Sequence, residues 1–160
     1  MNKKYSFLKR FSIVSFVFVL LIFSASSTFA QADKTATKEK SLYERLGGYD
    51  ALAAVTDDFL LRLGTNKLVG RFLVDFSEDS KGKIRQHFIE FLCSATGGSC
   101  VYMGRDMKTT HKGIGITEED WKESVKLLVE TLDKFKVPEK EKSEVLAAVS
   151  SLKGDIVEKK

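Results

Sequence analysis

The 160-residue sequence has only two histidines and two cysteines, so it has few of the side chains from which proteins build metal centres. A structural zinc site needs four ligands arranged as a tetrahedron. Together these residues number four, but their order, H-x5-C-x6-C-x10-H, fits none of the usual zinc-finger spacings. A zinc site is therefore disfavoured.

Excess charge is also missing once the first thirty residues are set aside. Four of the 26 basic residues and none of the 22 acidic residues lie there, so the remainder has 22 of each. Nucleic-acid phosphates require clustered Lys and Arg, and we find no such basic stripe in the remainder. No nucleic-acid partner is predicted.

The N-terminus has the pattern of a secretory signal peptide. Basic residues precede an apolar run at residues 13–23, and small residues follow up to Ala30. This run is shorter than the roughly 20 residues of a membrane span. We predict a signal peptide at 1–30, export to the periplasm or the medium, and no stable membrane insertion after cleavage. An uncleaved anchor is the alternative.

Beyond the signal peptide, the sequence predicts one all-α domain. Residues 31–40 are polar and aperiodic, which indicates a disordered lead-in before a domain at 41–158. Apolar residues recur at helical spacing and no strand-like alternation competes. Capping boxes are predicted at Ser41 and Thr117, and Pro138 suits the start of a last helix. Residues 64–82 are interpreted as a turn-rich connection whose apolar anchors are Phe72, Leu73 and Phe76.

Both histidines and both cysteines lie between residues 83 and 116. Over residues 84–95 the spacing predicts a helix that aims His87 inward, on a face with Ile84, Phe88, Phe91, Leu92 and Ala95. Two glycines at 97 and 98 end this helix, and a short segment then leads to His111. A metal that takes only one or two axial nitrogens from a protein is the iron of a porphyrin. An ordinary core or surface histidine is the alternative for each.

The string C-x-A-T-G-G-x-C-x-Y-x-G-R-D-M-K-x-x-H, from Cys93 to His111, resembles the signature of group I truncated globins. Similar blocks lie at residues 41–48, 57–59, 133–138 and 153–157, so the resemblance covers nearly all of 41–158. So many blocks in the right order make a specific signal. The resemblance implies a 2-on-2 helical sandwich around haem b, which is iron protoporphyrin IX.

The resemblance also assigns roles to residues of this chain. It implies that His111 is the proximal iron ligand. The spacing of 24 residues between His87 and His111 is similar to that of cyanobacterial truncated globins with a distal histidine ligand. This resemblance suggests the hypothesis that His87 closes the sixth position in a bis-histidyl resting state. Arg105 and Lys108 are candidate propionate contacts or solvated surface residues, and Cys93 and Cys100 form either a disulfide or two buried thiols. The residues assigned to the haem pocket are Phe59, Leu60, Phe72, Leu73, Ile84, Phe88, Leu92 and Met107.

The distal side of this pocket departs from the usual pattern of the family. Leu60 stands where many members have tyrosine, and Ile84 and Phe88 stand where glutamine is common. Dioxygen held at haem carries partial negative charge, and each charge-assisted hydrogen bond to it contributes about 1.5 to 3 kcal/mol. Without these donors, high-affinity oxygen storage is disfavoured.

The function predicted from this resemblance is reversible binding of O2, NO or CO. We find no nucleophile, paired carboxylates or flavin-binding motif, so ligand binding is favoured over catalysis. Nitric oxide dioxygenation, with an external reductant, is the enzymatic alternative. Electron transfer with a redox partner is a third, because all three functions share one scaffold.

Overall fold

The computed structural model describes residues 39–158, so the predicted signal peptide and residues 31–38 of the lead-in lie outside the described residues. The described residues form one 3₁₀ turn, Gly70–Phe72, seven α-helices and no strand, which confirms the all-α class. No helix among them is both long enough and apolar enough to cross a bilayer. In chain order the helices are α1 Leu42–Arg45, α2 Gly48–Thr65, α3 Glu78–Ala95, α4 Met107–His111, α5 Glu118–Lys134, α6 Glu139–Ser151 and α7 Lys153–Ile156.

The two predicted capping boxes are both present. The Ser41 hydroxyl accepts from the Glu44 N–H at the start of α1, and the Glu44 carboxylate accepts from the Ser41 N–H at 2.8 Å. The same reciprocal pair opens α5, where Thr117 pairs with Asp120. Each box satisfies two of the backbone donors that a helix start leaves without partners. Pro138 is the N-cap of α6, as predicted.

The paired glycines after α3 allow the chain to reverse against α1. Gly97 has a φ of 87°, in the left-handed region that favours glycine. At Gly98 a Cβ would lie 2.6 Å from the Cys93 sulfur and 2.8 Å from the Tyr43 ring. The Tyr43 N–H donates to the Thr96 carbonyl at 2.8 Å, so the reversal also joins α1 to the end of α3.

The core lies where α2 packs on α3 and α5, with α6 against α5. Leu52 and Phe59 of α2 are buried there, and the Phe59 ring lies 5.7 Å from that of Phe88. Burial of each large apolar side chain of this kind contributes roughly 1.5 to 3 kcal/mol. The main buried cluster consists of Phe59, Val69, Leu127, Leu128, Leu132 and Val145.

The inward face predicted for α3 is confirmed only in part, because Phe88 packs against the core but His87 and Ala95 do not. The side chains that are fully buried there are Ile89 and Cys93, whereas Ala95 is exposed and the His87 side chain is 49% exposed. Ile89 lies about 140° around the helix from Ile84. The helix therefore has two apolar faces, and periodicity identified the face that is only partly buried.

The predicted connection at 64–82 is too long. Helix α3 begins at Glu78, because Ser77 caps it by accepting from the Ser80 N–H and two acidic residues favour its first turn. Phe72 packs against the core as predicted, but Phe76 is 43% exposed and anchors nothing. The predicted last helix is also divided, since α6 ends at Ser151 and α7 follows.

A small apolar cavity of about 50 Å³ lies in the core between α2, α3, α5 and α6. Its wall includes one polar atom without a partner: the Thr56 side chain is fully buried, and within residues 39–158 its hydroxyl has no hydrogen-bond partner. A buried hydroxyl in this situation costs stability, because it gave up hydrogen bonds to water when the chain folded.

Replacing Thr56 with valine should therefore stabilise the protein. The methyl group that takes the place of the hydroxyl has nearly the same shape and needs no hydrogen bond, so we expect a gain of about 1 kcal/mol in the free energy of unfolding. Urea denaturation at constant pH measures this gain. Thr131→Val is the matched control, because the buried Thr131 hydroxyl donates to the Leu127 carbonyl at 3.0 Å. A loss of stability in Thr56→Val would contradict the prediction.

Candidate functional site

His111 is the last residue of the short helix α4. Asp106 caps this helix by accepting from the Thr109 N–H and hydroxyl at 2.8 and 2.7 Å. These bonds hold the pKa of Asp106 below its ordinary value, so the cap is charged at neutral pH. His111 Nδ1 lies 2.8 Å from the Met107 carbonyl oxygen. Because a carbonyl only accepts, Nδ1 carries the proton, and Nε2 keeps a lone pair for a metal.

The turn after His111 is held by the C-terminal end of the described chain. The Glu158 carboxylate accepts from the N–H groups of Gly113 and Gly115 at 2.6 and 2.7 Å. Both glycines have a φ near 80°, which turns their N–H groups toward one acceptor. Sequence reasoning missed Glu158, because its partners lie 45 and 43 residues away and no local pattern links them.

His87 lies on the half-exposed face of α3. Its Nδ1 is 3.5 Å from the Glu90 carboxylate, one turn further along the same helix. The Tyr102 ring meets the imidazole edge-on, with 6.1 Å between ring centroids. A carboxylate beside Nδ1 favours the tautomer that leaves Nε2 unprotonated. His87 thus has the same nitrogen available as His111.

Cys93 and Cys100 form a disulfide, with 5.8 Å between their Cα atoms. It joins α3, which carries His87, to the segment that leads into α4, which carries His111. Cys93 is fully buried, and neither sulfur is a free thiolate. Over residues 39–158 no group of three or more His, Cys, Asp or Glu side chains is placed to hold a metal ion.

The structure places the residues assigned to the haem pocket in two separate groups. Phe59, Phe88 and Leu92 line the core cavity, and five others are partly buried and do not line it. A pocket for a cofactor-sized molecule needs roughly 300 Å³ or more, so a cavity of about 50 Å³ does not hold a haem. The five residues away from the cavity are Leu60, Phe72, Leu73, Ile84 and Met107.

The charged and apolar residues around α4 are exposed. Arg105 and Lys108 project into solvent, and within the described residues neither forms an ion pair. Met103 is 77% exposed and Ile114 is 43% exposed, which leaves apolar surface uncovered on either side of α4. This region offers cations, uncovered apolar surface and an imidazole with a free Nε2. Such a set suits a flat apolar cofactor that carries carboxylates and a metal. These residues fit a haem.

Comparison with known proteins agrees with this chemistry. Residues 41–158 match the family model described as bacterial-like globin. The group 1 truncated hemoglobin GlbN of Mycolicibacterium paratuberculosis is 31% identical over 116 residues, covering 72% of this chain and 83% of the relative. GlbN of Synechocystis sp. is 32% identical over 118 residues, covering 71% and 90%.

Solved structures show the same fold. The 2/2 hemoglobin of Synechococcus sp., in the cyanomet state with covalently attached heme, gives a TM-score of 0.67 at 29% identity and covers 74% of this chain and 98% of its own. Truncated hemoglobin of Tetrahymena pyriformis in the Fe(III) form gives the same TM-score and coverage at 23% identity. The chain belongs to the bacterial-like globins and is homologous to their group 1 truncated haemoglobins, haem proteins that bind diatomic ligands.

Proposed function

We propose that His111 is the proximal ligand of haem b and that the protein binds its diatomic ligand on the opposite face of the cofactor. The observation that carries this proposal is the 2.8 Å contact of His111 Nδ1 with the Met107 carbonyl. That contact orients the ring and selects the tautomer with a free Nε2. His111 would hold the haem, and the haem would supply an iron at which a small gas could bind. Arg105 and Lys108 are the cations proposed to meet its propionates.

We further propose that His87 is the second axial ligand of the resting protein. Support comes from its tautomer, which the Glu90 carboxylate favours, and from the disulfide that fixes the segment joining the two histidine-bearing helices. An incoming gas must displace His87 before it binds. The apparent affinity therefore falls by the fraction of protein in which His87 is detached.

Absorption spectra of the haem-loaded protein test this second ligand. The ferric wild type should be low-spin and six-coordinate at neutral pH, and His87→Ala should become high-spin with water at the vacated position. Ser94→Ala is the matched control, since Ser94 is an exposed residue of the same helix and should leave the spectrum unchanged. A high-spin ferric wild type would exclude His87 as a ligand.

The side chains proposed for the distal pocket disfavour the storage of oxygen. Leu60, Ile84 and Phe88 offer no hydrogen-bond donor to a partially negative ligand. Each missing charge-assisted bond weakens oxygen binding by about 1.5 to 3 kcal/mol. We therefore propose that the protein is poorly suited to storing oxygen.

Electron transfer is the second candidate, and the pair of histidines is the observation that favours it. An iron with two protein ligands exchanges electrons without first losing a ligand. Rapid electron exchange together with no appreciable oxygen binding would support this function over gas binding.

We also propose that the protein is exported, with cleavage of the signal peptide after Ala30. The disulfide supports this proposal, because such bonds persist in the periplasm and outside the cell. Cell fractionation followed by intact mass and N-terminal sequencing tests it. A cytosolic protein that retains residue 1 would refute export.

A further inference from the structure

Tyr102 lies in the loop before α4, and its ring contacts His87 on α3. Its ring meets the imidazole at an interplanar angle of 86° and a centroid distance of 6.1 Å. It also packs edge-on against Phe91, one turn further along α3, at 5.3 Å. Edge-to-face pairs of this kind are attractive and directional. The His87 ring is thus held from outside its own helix.

Three restraints fix Tyr102 independently of His87. Its hydroxyl donates to the Arg105 carbonyl at 2.7 Å. At Gly104 a Cβ would lie 2.3 to 2.5 Å from the Tyr102 hydroxyl and ring, so only glycine leaves room for the phenol. Cys100, two residues earlier, is bonded to the buried Cys93. The phenol is therefore part of a fixed frame rather than a mobile loop side chain.

The charged groups around Tyr102 leave it neutral. Burial raises the pKa of the Tyr102 hydroxyl, and the negative charges of Asp106 and Glu90 raise it further. The ring therefore acts on His87 by packing. Glu90 completes the arrangement from within α3: its carboxylate lies beside His87 Nδ1 and accepts from the Gln86 amide at 2.9 Å.

We propose that Tyr102 is the positioning residue for His87, and that the ring contact maintained by the disulfide and Gly104 keeps the imidazole ready to serve as the second axial ligand of haem. This inference rests on the proposed bis-histidyl resting state. In this proposal Tyr102 acts on the His87 imidazole and is assigned no contact with the iron or the gas. It sets the fraction of protein in which the distal position is closed, and so controls how readily a gas enters.

The test compares full-length, haem-loaded wild type with Tyr102→Leu and Tyr102→Phe. In Tyr102→Leu we expect a smaller low-spin ferric fraction at neutral pH and cyanide binding about two- to tenfold faster, because an edge-to-face ring contact is lost. Tyr102→Phe keeps the ring and should stay within about twofold of wild type. Phe135→Leu is the matched control, because Phe135 is also a partly exposed aromatic residue and lies outside this cluster. It should match wild type.

A second variant keeps the inference testable if Tyr102→Leu does not fold. Gly104→Ala retains the phenol but displaces it, and should change spin state and cyanide rate in the same direction. Ring-proton NOEs between residues 87 and 102 in the haem-free protein should be present in wild type and absent in Gly104→Ala. If the wild type is low-spin and both Tyr102→Leu and Gly104→Ala match it, the inference about Tyr102 is wrong while the proposed role of His87 stands. A high-spin wild type would instead overturn the proposed role of His87 and the inference with it.

Discussion

Replacing His111 with alanine should give a protein that does not retain haem. His111 is the one histidine whose Nδ1 is engaged by a backbone carbonyl, so its removal takes away the proximal ligand proposed here. Changes to groups that only support a ligand cost about 10- to 100-fold in metal affinity, and loss of the ligand itself should cost more than about 100-fold. Hemin titration followed at the Soret band measures the affinity.

The control for this result is His87→Ala, which removes the other histidine. It should bind hemin with nearly wild-type affinity, although with a high-spin spectrum. Added imidazole should restore colour to His111→Ala, because a free ligand can enter the space that the side chain leaves. Equal loss of hemin in both variants would contradict the distinct roles given to the two histidines.

Replacing Asp120 with alanine should destabilise the fold by about 3 kcal/mol, more than any other single change proposed above. Its carboxylate is 1% exposed and accepts from the Thr117 N–H and hydroxyl at 2.9 and 2.8 Å. It also accepts two bonds from Arg71 at 2.7 and 2.8 Å. The change removes both the cap of α5 and its tie to the 3₁₀ turn. The melting temperature should fall by about 10 °C.

The stability that Asp120 supplies depends on pH in a predictable direction. Burial alone would raise the pKa of this carboxyl, but the bonds from Thr117 and Arg71 outweigh it and hold the pKa below its ordinary value. A depressed folded pKa gives stability that is complete above the unfolded value of about 3.9 and is lost as pH falls through the folded value. The difference between wild type and Asp120→Ala should thus be constant near neutrality and shrink below about pH 4.

Asp75→Ala is the matched control for both measurements, since it removes the same charge from an exposed position in the connection before α3. It should change the free energy of unfolding by less than about 0.5 kcal/mol. A stability loss in Asp120→Ala that is no larger than this control would show that the cap and the Arg71 pair contribute little.

Local signals predicted the helix starts well, because a cap depends on residues only three apart. Ser41 with Glu44 and Thr117 with Asp120 were identified from sequence, and the structure forms both boxes. The start of α3 was missed because Ser77 caps it without an acidic partner at the third position. Its apolar residues also begin only at Ile84, almost two turns later.

These local signals could not predict which residues are buried or which distant residues form hydrogen bonds with each other. Periodicity identified Phe88 as a core residue of α3 but missed the fully buried Ile89 and Cys93, because their burial depends on where α2 packs. Residues that act over long separations were missed as well. Arg71 donates a hydrogen bond to Asp120, and Gly113 donates one to Glu158. The sequence separation within each pair follows no local pattern that would predict the contact. The candidate ligands His87 and His111 were found through the family resemblance.

Resonance Raman spectroscopy of the ferrous His87→Ala protein tests the ligation by His111 most directly, because with the distal imidazole removed the spectrum isolates the proximal bond. The account predicts an iron–histidine stretching band that shifts when the histidines are labelled with ¹⁵N and that is absent from the reduced, haem-loaded His87→Ala/His111→Ala double variant. A protein without this band, or a band that persists in the His87→Ala/His111→Ala double variant, would contradict it.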